Sequence, residues 1–208
     1  MGKIVIVQHC QSEHHINNLS GGWTDTPLTD FGRKQANLIG ERLKKEINAD
    51  EFILYSSDLM RAKQTAEIIG SHLKLEVTEE IGLREINTGV ATGKTKDWVK
   101  ENINPRLIKV PYIDHLAFEE GETMRQFYRR TCECMNKIHS IENSNLLIVT
   151  HGITLSNIVA WWLKFTPEML NDVFFSALPG SISILSKSRD GQNAMILFND
   201  TSHLSELI

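Results

Sequence analysis

Two short apolar segments of this chain each end just before a histidine, and their residue types restrict the fold more than any other feature. Residues 4–7 read Ile-Val-Ile-Val before Gln8 and His9, and residues 146–150 read Leu-Leu-Ile-Val-Thr before His151. Both segments are uncharged and rich in β-branched residues, which is typical of strands buried on both faces of a parallel sheet. Ligands of open α/β sheets bind outside the carboxyl ends of the strands. We therefore expect His9 and His151 to converge on one substrate.

Helix-like and strand-like segments alternate along the rest of the chain, which predicts an α/β fold. Helices with one apolar face are expected from Thr29, as N-cap, to about Ile47, from Ser57, as N-cap, to Leu73, over residues 123–141 and from Ile153 onward. Further strands are expected at residues 51–55, at residues 75–77 and in a final hairpin of residues 181–185 and 194–198. We predict a single three-layer α/β/α domain over residues 1–208, with a mostly parallel central sheet and helices on both faces. The irregular segment at about residues 88–120 is interpreted as an inserted, partly helical cover.

Composition and charge argue against several classes of partner. The 208 residues carry a net charge of −4, which gives no reason to expect nucleic acid or a membrane surface as partner. The most apolar run, residues 153–165, is interrupted by polar residues and is shorter than the ~18 residues that span a bilayer. No secretory signal is visible before the first strand, and an odd number of cysteines, three, argues against a disulfide framework. These features predict a cytoplasmic protein, either a monomer or a homodimer.

Four segments carry side chains that suit phosphoryl transfer. His9 and His151 follow two strands, and Arg61 lies in the first turn of a predicted helix, where the helix N-terminus already favours anions. Glu85 has apolar neighbours that would raise its pKa toward that of a general acid. Gly152 lets a substrate approach the backbone closely. Together these groups fit transfer of a phosphoryl group through a histidine.

Two groups of polar residues can be explained by structure alone, without a role in catalysis or metal binding. Glu85 follows Arg84, and the two side chains could form a salt bridge instead of an acid site. The run Glu13-His14-His15 looks like a metal site, but adjacent histidines rarely ligate one ion well, so we interpret it as polar residues of a loop. The sequence predicts no metal site and no cofactor.

A set of short motifs follows one order along nearly the whole chain. They are Gly22-Trp23, Pro27-Leu28-Thr29 with Gly32 and Gln35-Ala36, the block from Ser56 to Ala66, Leu83 to Gly89, Gly121-Glu122-Thr123, and Val149 to Gly152. In these motifs the chain resembles the histidine phosphatase superfamily, in its phosphoglycerate mutase-like branch. Each motif alone is weak, and the ordered set is highly specific.

This resemblance implies a role for each matching residue. His9 would be the nucleophile that becomes phosphohistidine, Arg61 would clamp the phosphoryl oxygens, and His151 would stabilise the transferring group. Glu85 would protonate the leaving oxygen and later activate water. Substrate contacts are implied for Ser12, Gly21 and Gly22.

Three positions depart from the family's pattern. The arginine before the nucleophile is Gln8 here, the glycine after it is Cys10, and His15 stands where many members have an asparagine that touches phosphate. Gln8 can still donate a hydrogen bond through its amide, but it brings no charge. Losing one preorganised donor costs ~3–4 kcal/mol, or about 10²–10³ in rate, and a neutral donor should recover part of that. Slow or narrow chemistry is therefore expected.

Three functions follow from these residues. We favour a phosphomonoester hydrolase that acts on a small soluble phosphorylated metabolite without metal. A phosphoglycerate mutase is the first alternative, although mutase-type members are usually longer, with basic residues in the inserted segment. The basic residues of the corresponding short segment here are Lys94, Lys96, Lys100, Arg106 and Lys109. The second alternative, motivated by Gln8, is a degenerate, non-catalytic protein that binds a phosphorylated ligand or regulates another protein.

Overall fold

The computed structural model describes residues 2–141 and 145–207, and within these ranges a six-stranded, mostly parallel sheet forms the centre of the molecule. The strands are β1 (Ile4–Gln8), β2 (Phe52–Ser56), β3 (Val77–Glu79), β4 (Asn145–Thr150), β5 (Ile182–Lys187) and β6 (Asn193–Asp200). Their order in the sheet is β3-β2-β4-β1-β5-β6. Strands β1 to β4 are parallel, and β5 and β6 each run antiparallel to the preceding strand in that order. The predicted final hairpin is confirmed.

Helices cover both faces of the sheet. The α-helices of the described ranges are α1 (Glu13–Ile16), α2 (Asp30–Glu46), α3 (Met60–Leu73), α4 (Lys96–Asn102), α5 (Met124–Ile141) and α6 (Gly152–Trp162), of which α2, α3, α5 and α6 pack on the sheet. Successive residues of a strand point to opposite faces. Ile4 and Ile6 of β1 accordingly pack in the core under α5 and α6, while Val5 and Val7 pack under α2 and α3. The predicted three-layer α/β/α fold is confirmed. Within the described ranges, no helix combines the length and the apolar character needed to cross a membrane.

Ser57 is not the N-cap of α3, contrary to the prediction. The helix begins at Met60, and Leu59 occupies the cap position. The Ser57 hydroxyl accepts a hydrogen bond from the Leu59 N–H at 3.3 Å, so it serves the turn before the helix instead of the helix itself. Strand β2 ends at Ser56, one residue later than predicted, and Ser57 directly follows it.

Two further boundaries differ from the sequence expectation. Strand β3 begins at Val77 instead of residue 75, because the N–H of Leu75 donates to the carbonyl of Gly70 and closes the end of α3. Helix α1 lies where a polar loop was expected. A single helical turn is too short to show the periodic pattern from which the longer helices were predicted.

Residues 88–120 contain α4 and two short 3-10 turns, Gly89–Ala91 and Tyr112–Asp114. Backbone hydrogen bonds tie this segment to the loop after α1, from the N–H of Ser20 to Lys94 O (2.8 Å) and from the N–H of Lys96 to Asn18 O (2.9 Å). The segment is thus partly helical and lies against the loop that contains Gly21 and Gly22. Its interpretation as an insertion stays a prediction.

Candidate active site

The two strand-end histidines lie side by side at the carboxyl edge of the sheet. Strands β1 and β4 are parallel neighbours with Gln8 opposite Thr150, so His9 and His151 leave the sheet at the same level. Their ring centroids are 5.0 Å apart. Both side chains are buried. The structure therefore brings the two imidazoles together as the strand pattern predicts.

The contacts of His9 leave the lone pair of its Nε2 facing Arg61. His9 Nδ1 lies 2.8 Å from the carbonyl oxygen of Cys10, which can only accept, so Nδ1 carries the ring proton. Nε2 accepts a hydrogen bond from Arg61 Nε at 3.1 Å. Burial, and then the charge of Arg61, hold the pKa of His9 well below its usual range. His9 is therefore neutral at pH 7, which is the nucleophilic form of an imidazole.

Arg61 is almost fully buried in the first turn of α3, and the loop after α1 fixes its plane. Its two terminal nitrogens donate to Thr24 O and Gly22 O, both at 2.7 Å. A guanidinium has five N–H donors, and His9, Thr24 and Gly22 use three of them, which leaves two for a ligand. Burial lowers the pKa of Arg61 to about 10, so the group stays positive at neutral pH. Arg61 is thus a fixed positive charge beside His9.

His151 is held by Ser57. Its Nε2 lies 2.8 Å from the Ser57 hydroxyl, and its Nδ1 is buried without a hydrogen-bond partner among the described residues. When the Ser57 hydroxyl, which already accepts from the Leu59 N–H, donates to Nε2, the ring proton lies on Nδ1. Burial, and then the charge of Arg61, hold the pKa of His151 well below its usual range. His151 Nδ1 is therefore a buried donor without a partner among the described residues.

Glu85 is buried and hydrogen-bonded at both carboxyl oxygens. One oxygen accepts from the N–H of Ile86 at 3.0 Å and from the Thr154 hydroxyl at 3.3 Å, and the other accepts from the N–H of Ile153 at 3.0 Å. Burial raises the pKa of Glu85, while these hydrogen bonds and Arg61 oppose the rise. The carboxyl group therefore holds a proton more readily than an exposed glutamate does, as a general acid requires.

The salt bridge from Glu85 to Arg84 is not formed. Arg84 instead pairs with both carboxylate oxygens of Asp58, at 2.7 and 2.5 Å. The loop around Glu85 is held by Arg130, which donates to the carbonyl of Glu85 at 3.1 Å and pairs with Glu122 at 2.8 and 2.9 Å. Glu122, from the Gly-Glu-Thr motif, thus acts on the site through Arg130.

Gln8 is buried against Gly152. A Cβ atom on Gly152 would lie 3.4 Å from Gln8 Nε2, an ordinary van der Waals contact, so the amide lies directly beside the Gly152 backbone. Gln8 Oε1 is buried and has no hydrogen-bond partner among the described residues. The position therefore offers the site a neutral amide in place of a guanidinium.

Ser12 organises a pair of histidines beside the nucleophile. Its hydroxyl lies 2.8 Å from His14 Nδ1, and its N–H donates to His15 Nδ1 at 3.0 Å. The rings of His14 and His15 are 3.9 Å apart and lie 5.9 and 5.5 Å from the ring of His9. Gly21 lies over this pair, since a Cβ there would be 3.8 Å from His14 Nε2. The interpretation of these histidines as polar loop residues is wrong, because both belong to α1 and lie near His9.

Three positioning residues were missed in the sequence. Thr24 contacts Arg61 only through its backbone carbonyl, and Arg130 lies in the middle of α5. No feature of the nearby sequence therefore identifies either residue as part of the site. Ser57 has such a feature, since it follows the end of a strand in the same way as His9 and His151 do. The thiol of Cys10, in contrast, stays protonated and unreactive at neutral pH, because burial raises its pKa to about 12.

Two strand-end imidazoles, a fixed guanidinium and a buried carboxyl group thus lie together at the edge of a parallel α/β sheet. The chain belongs to the histidine phosphatase superfamily (branch 1), whose family model matches residues 4–201. The predicted family is thereby confirmed.

A curated relative agrees with this assignment, and solved structures share the fold. A 2,3-bisphosphoglycerate-dependent phosphoglycerate mutase from Bartonella henselae is 31% identical over 163 residues, which are 75% of this chain and 79% of the relative. The fold matches a mycobacterial glucosyl-3-phosphoglycerate phosphatase with a TM-score of 0.81 and 22% identity over 97% of this chain and 100% of that one. It also matches phosphoserine phosphatase from Entamoeba histolytica, in complex with 3-phosphoglyceric acid, with a TM-score of 0.77 and 24% identity over 98% and 100% of the chains. The chain thus has a mutase as a relative in sequence and shares its fold with phosphatases.

Proposed function

We propose that this protein is a phosphomonoester hydrolase that acts on a small phosphorylated metabolite through a phosphohistidine at His9. The observation that carries this proposal is the state of His9, which is neutral, has its proton fixed on Nδ1 and presents Nε2 to Arg61. A nucleophile and a cation within hydrogen-bond distance suit attack on a phosphorus atom whose oxygens bind the cation.

In the first step the phosphoryl group displaces the hydrogen bond of Arg61 Nε from His9 Nε2, and the freed lone pair of Nε2 attacks phosphorus as the ester P–O bond breaks. The two free N–H groups of Arg61 bind phosphoryl oxygens, and Nδ1 of His151 donates to another. The leaving oxygen takes the proton of the Glu85 carboxyl group, which its raised pKa helps to retain. The products are an alcohol and phosphorylated His9.

In the second step water replaces the imidazole. The Glu85 carboxylate takes a proton from the water, whose oxygen attacks phosphorus as the P–N bond breaks. Inorganic phosphate leaves, and both neutral His9 and protonated Glu85 are restored. No divalent ion enters either step, so activity in the presence of a chelator is expected, and loss of activity that a divalent ion restores would contradict this scheme.

A phosphoglycerate mutase is the alternative that the Bartonella relative supports, because its 31% identity extends over most of both chains. Two of the five basic residues in the segment at residues 88–120 have contacts that weaken this alternative. Lys94 lies 5.6 Å from the Trp98 ring, and Lys100 pairs with Asp97 at 3.3 Å. These two cations have partners of their own, so they are less available to a substrate carboxylate.

Trapping the intermediate tests the proposal. The enzyme is incubated with a labelled phosphoester and quenched, and we expect a protein-bound phosphate that is stable to alkali and labile to acid. His9→Ala should abolish this label, whereas His72→Ala, on α3 and outside the site, should retain it. Label that survives in His9→Ala would place the nucleophile elsewhere.

A product assay separates the three functions. With 3-phosphoglycerate and 2,3-bisphosphoglycerate, a mutase forms 2-phosphoglycerate, whereas a hydrolase releases inorganic phosphate from one or more of a panel of phosphorylated metabolites. A non-catalytic protein turns over none of them, although phosphate or a phosphoester still raises its melting temperature. Turnover well above about one per second on any phosphoester would exclude the non-catalytic function, since typical kcat values begin there.

A further inference from the structure

The charge at the proposed phosphate site is too small for its ligand. A phosphomonoester near neutral pH carries up to two negative charges, and Gln8 supplies no cation to join Arg61. His9 and His151 are both neutral in the free protein, because burial holds the pKa of each well below its usual range. Another group beside His9 therefore has to supply a second positive charge. Without it, one negative charge of the bound dianion is left without a positive partner.

His14 and His15 are the nearest further imidazoles, and their hydrogen bonds give them different capacities for a proton. Nδ1 of His15 accepts from the backbone N–H of Ser12, which can only donate, so a proton on that nitrogen would break the bond. His15 therefore stays neutral, with its proton on Nε2. In this form it can donate to a phosphate oxygen, as an asparagine would.

His14 has no such restriction. Its Nδ1 lies 2.8 Å from the Ser12 hydroxyl and 3.4 Å from the Thr26 hydroxyl, and a hydroxyl can accept as well as donate. Its Nε2 has no hydrogen-bond partner in the described part of the chain and lies toward Gly21. The ring can therefore carry protons on both nitrogens without losing the contact with Ser12.

The surroundings keep His14 neutral while the site is free of anion. The groups that act on it are His15 in the same helix, Arg61 on α3 and Lys96 on α4, with His9 and His151 on the side of the sheet. Burial, and then His15, Arg61 and Lys96, lower the pKa of His14 to about 3. A dianion beside His9 would oppose the charges of Arg61 and Lys96, and charges about 6 Å apart interact strongly even at an effective dielectric constant of ~20.

We propose that His14 takes up a proton when a phosphate or phosphoester dianion binds beside His9, and so supplies the second positive charge that Gln8 does not. This inference rests on the proposed phosphate site and adds a pH dependence to it. The site then binds dianions more tightly in mildly acidic solution, and a proton enters the protein with each dianion.

Sulfate is the probe that tests this, because it keeps both negative charges over the pH range used. Binding is measured by titration calorimetry at pH 7.5 and 5.5, in two buffers with different ionisation enthalpies, so that proton uptake is counted directly. If the pKa of His14 returns to its ordinary value near 6.5 in the complex, the Kd for sulfate should fall about tenfold between pH 7.5 and 5.5. Uptake at pH 5.5 should approach one proton per sulfate.

Two variants assign the proton. His14→Gln keeps a polar contact with Ser12 but cannot be charged, so its Kd should be nearly independent of pH. His15→Asn, the matched control, can accept from the N–H of Ser12 and should keep the tenfold change. Circular dichroism verifies that both variants are folded. The proton uptake of the unmodified protein tests the inference even if neither variant folds.

Several results would overturn the inference. Sulfate binding that is independent of pH in the unmodified protein would show that no group takes up a proton, while the phosphate site itself would stand. If the Kd of His14→Gln for sulfate shows the same tenfold change, another group, such as His151, takes up the proton instead of His14. If sulfate does not bind at either pH and no phosphoester is hydrolysed, both the proposed phosphate site and the proposed function are contradicted.

Discussion

Lowering the pH from 7.5 to 5.5 should strongly destabilise the free protein, because the site buries neutral histidines. His9 and His151 are both fully enclosed, and both have a pKa well below its usual range. The unfolded chain takes up protons on these residues below about pH 6.5, while the folded chain does not. Stability from a depressed histidine pKa is therefore present above pH 6.5 and is lost as the pH falls below it.

The magnitude follows from the number of buried rings. One histidine with an unfolded pKa of about 6.5 and a much lower folded pKa changes the free energy of unfolding by about 1.4 kcal/mol between pH 7.5 and 5.5. His9 and His151 together give a loss of about 2.7 kcal/mol, which is a large part of a typical stability of ~5–15 kcal/mol. His14 and His15 act in the same direction, because burial lowers their pKa values to about 3 and about 4. Glu85 acts in the opposite sense, since its raised pKa adds stability as the pH falls toward that pKa.

Urea unfolding at the two pH values, in a buffer without phosphate or sulfate, measures this loss. His151→Gln removes one of the two titrating rings, so its loss between pH 7.5 and 5.5 should be smaller by about 1.4 kcal/mol. His72→Gln, outside the site, should behave as the unmodified protein does. A free energy of unfolding that is equal or higher at pH 5.5 would show that the rings are charged in the folded state, and the nucleophilic state inferred for His9 would fail with it.

The remaining predictions concern single residues. Gln8→Arg should raise kcat/KM on an aryl phosphate roughly tenfold, because charged hydrogen bonds contribute ~1.5–3 kcal/mol against about 1 for neutral ones, and Gln8→Met is the uncharged control. An unchanged or lower rate would mean that Gln8 is adapted to a particular substrate. Glu85→Gln should lower kcat on alkyl phosphates by about 10²–10⁴ and less on p-nitrophenyl phosphate, whose leaving group needs no proton, so equal losses would argue against the acid role. Gly32→Ala should destabilise the fold by ~1–3 kcal/mol in urea, since its Cβ would lie 1.9 Å from Gln11 O, and an unchanged midpoint would refute that packing.

The strands and the larger helices could be predicted because their signals are local. Residues 4–7 are β-branched and uncharged, and Thr29 caps α2 with a hydroxyl that accepts from the N–H of Gly32, as its residue type suggests. Ser57 misled the prediction, because a serine before a helix is normally a cap. Its hydroxyl instead bonds Leu59 and His151, and the second partner lies 94 residues away.

The candidate site could be predicted only in part, because many of its contacts join residues that are far apart in the sequence. The strand-end position of His9 and His151 is visible in the sequence, and the sheet register alone brings the two rings together. The tautomer of His9 depends on the carbonyl of Cys10 and on Arg61, 52 residues away, and no local pattern encodes that contact. The different hydrogen bonds of His14 and His15 to one serine likewise exist only once α1 has formed.

The order of the strands has a consequence for synthesis on the ribosome. Strand β4, which follows β1 in the chain by more than a hundred residues, lies between β1 and β2 in the sheet. Until it is made, β1 and β2 have no common partner, and their final positions are about 9.5 Å apart, two strand spacings. At ~5–20 residues per second, the 88 residues between Ser56 and Asn145 take roughly 5–20 s, during which both unpaired edges are open to other chains. Because His151 directly follows β4, the same strand that closes these edges also completes the site, so a nascent chain that is still prone to aggregate has no activity.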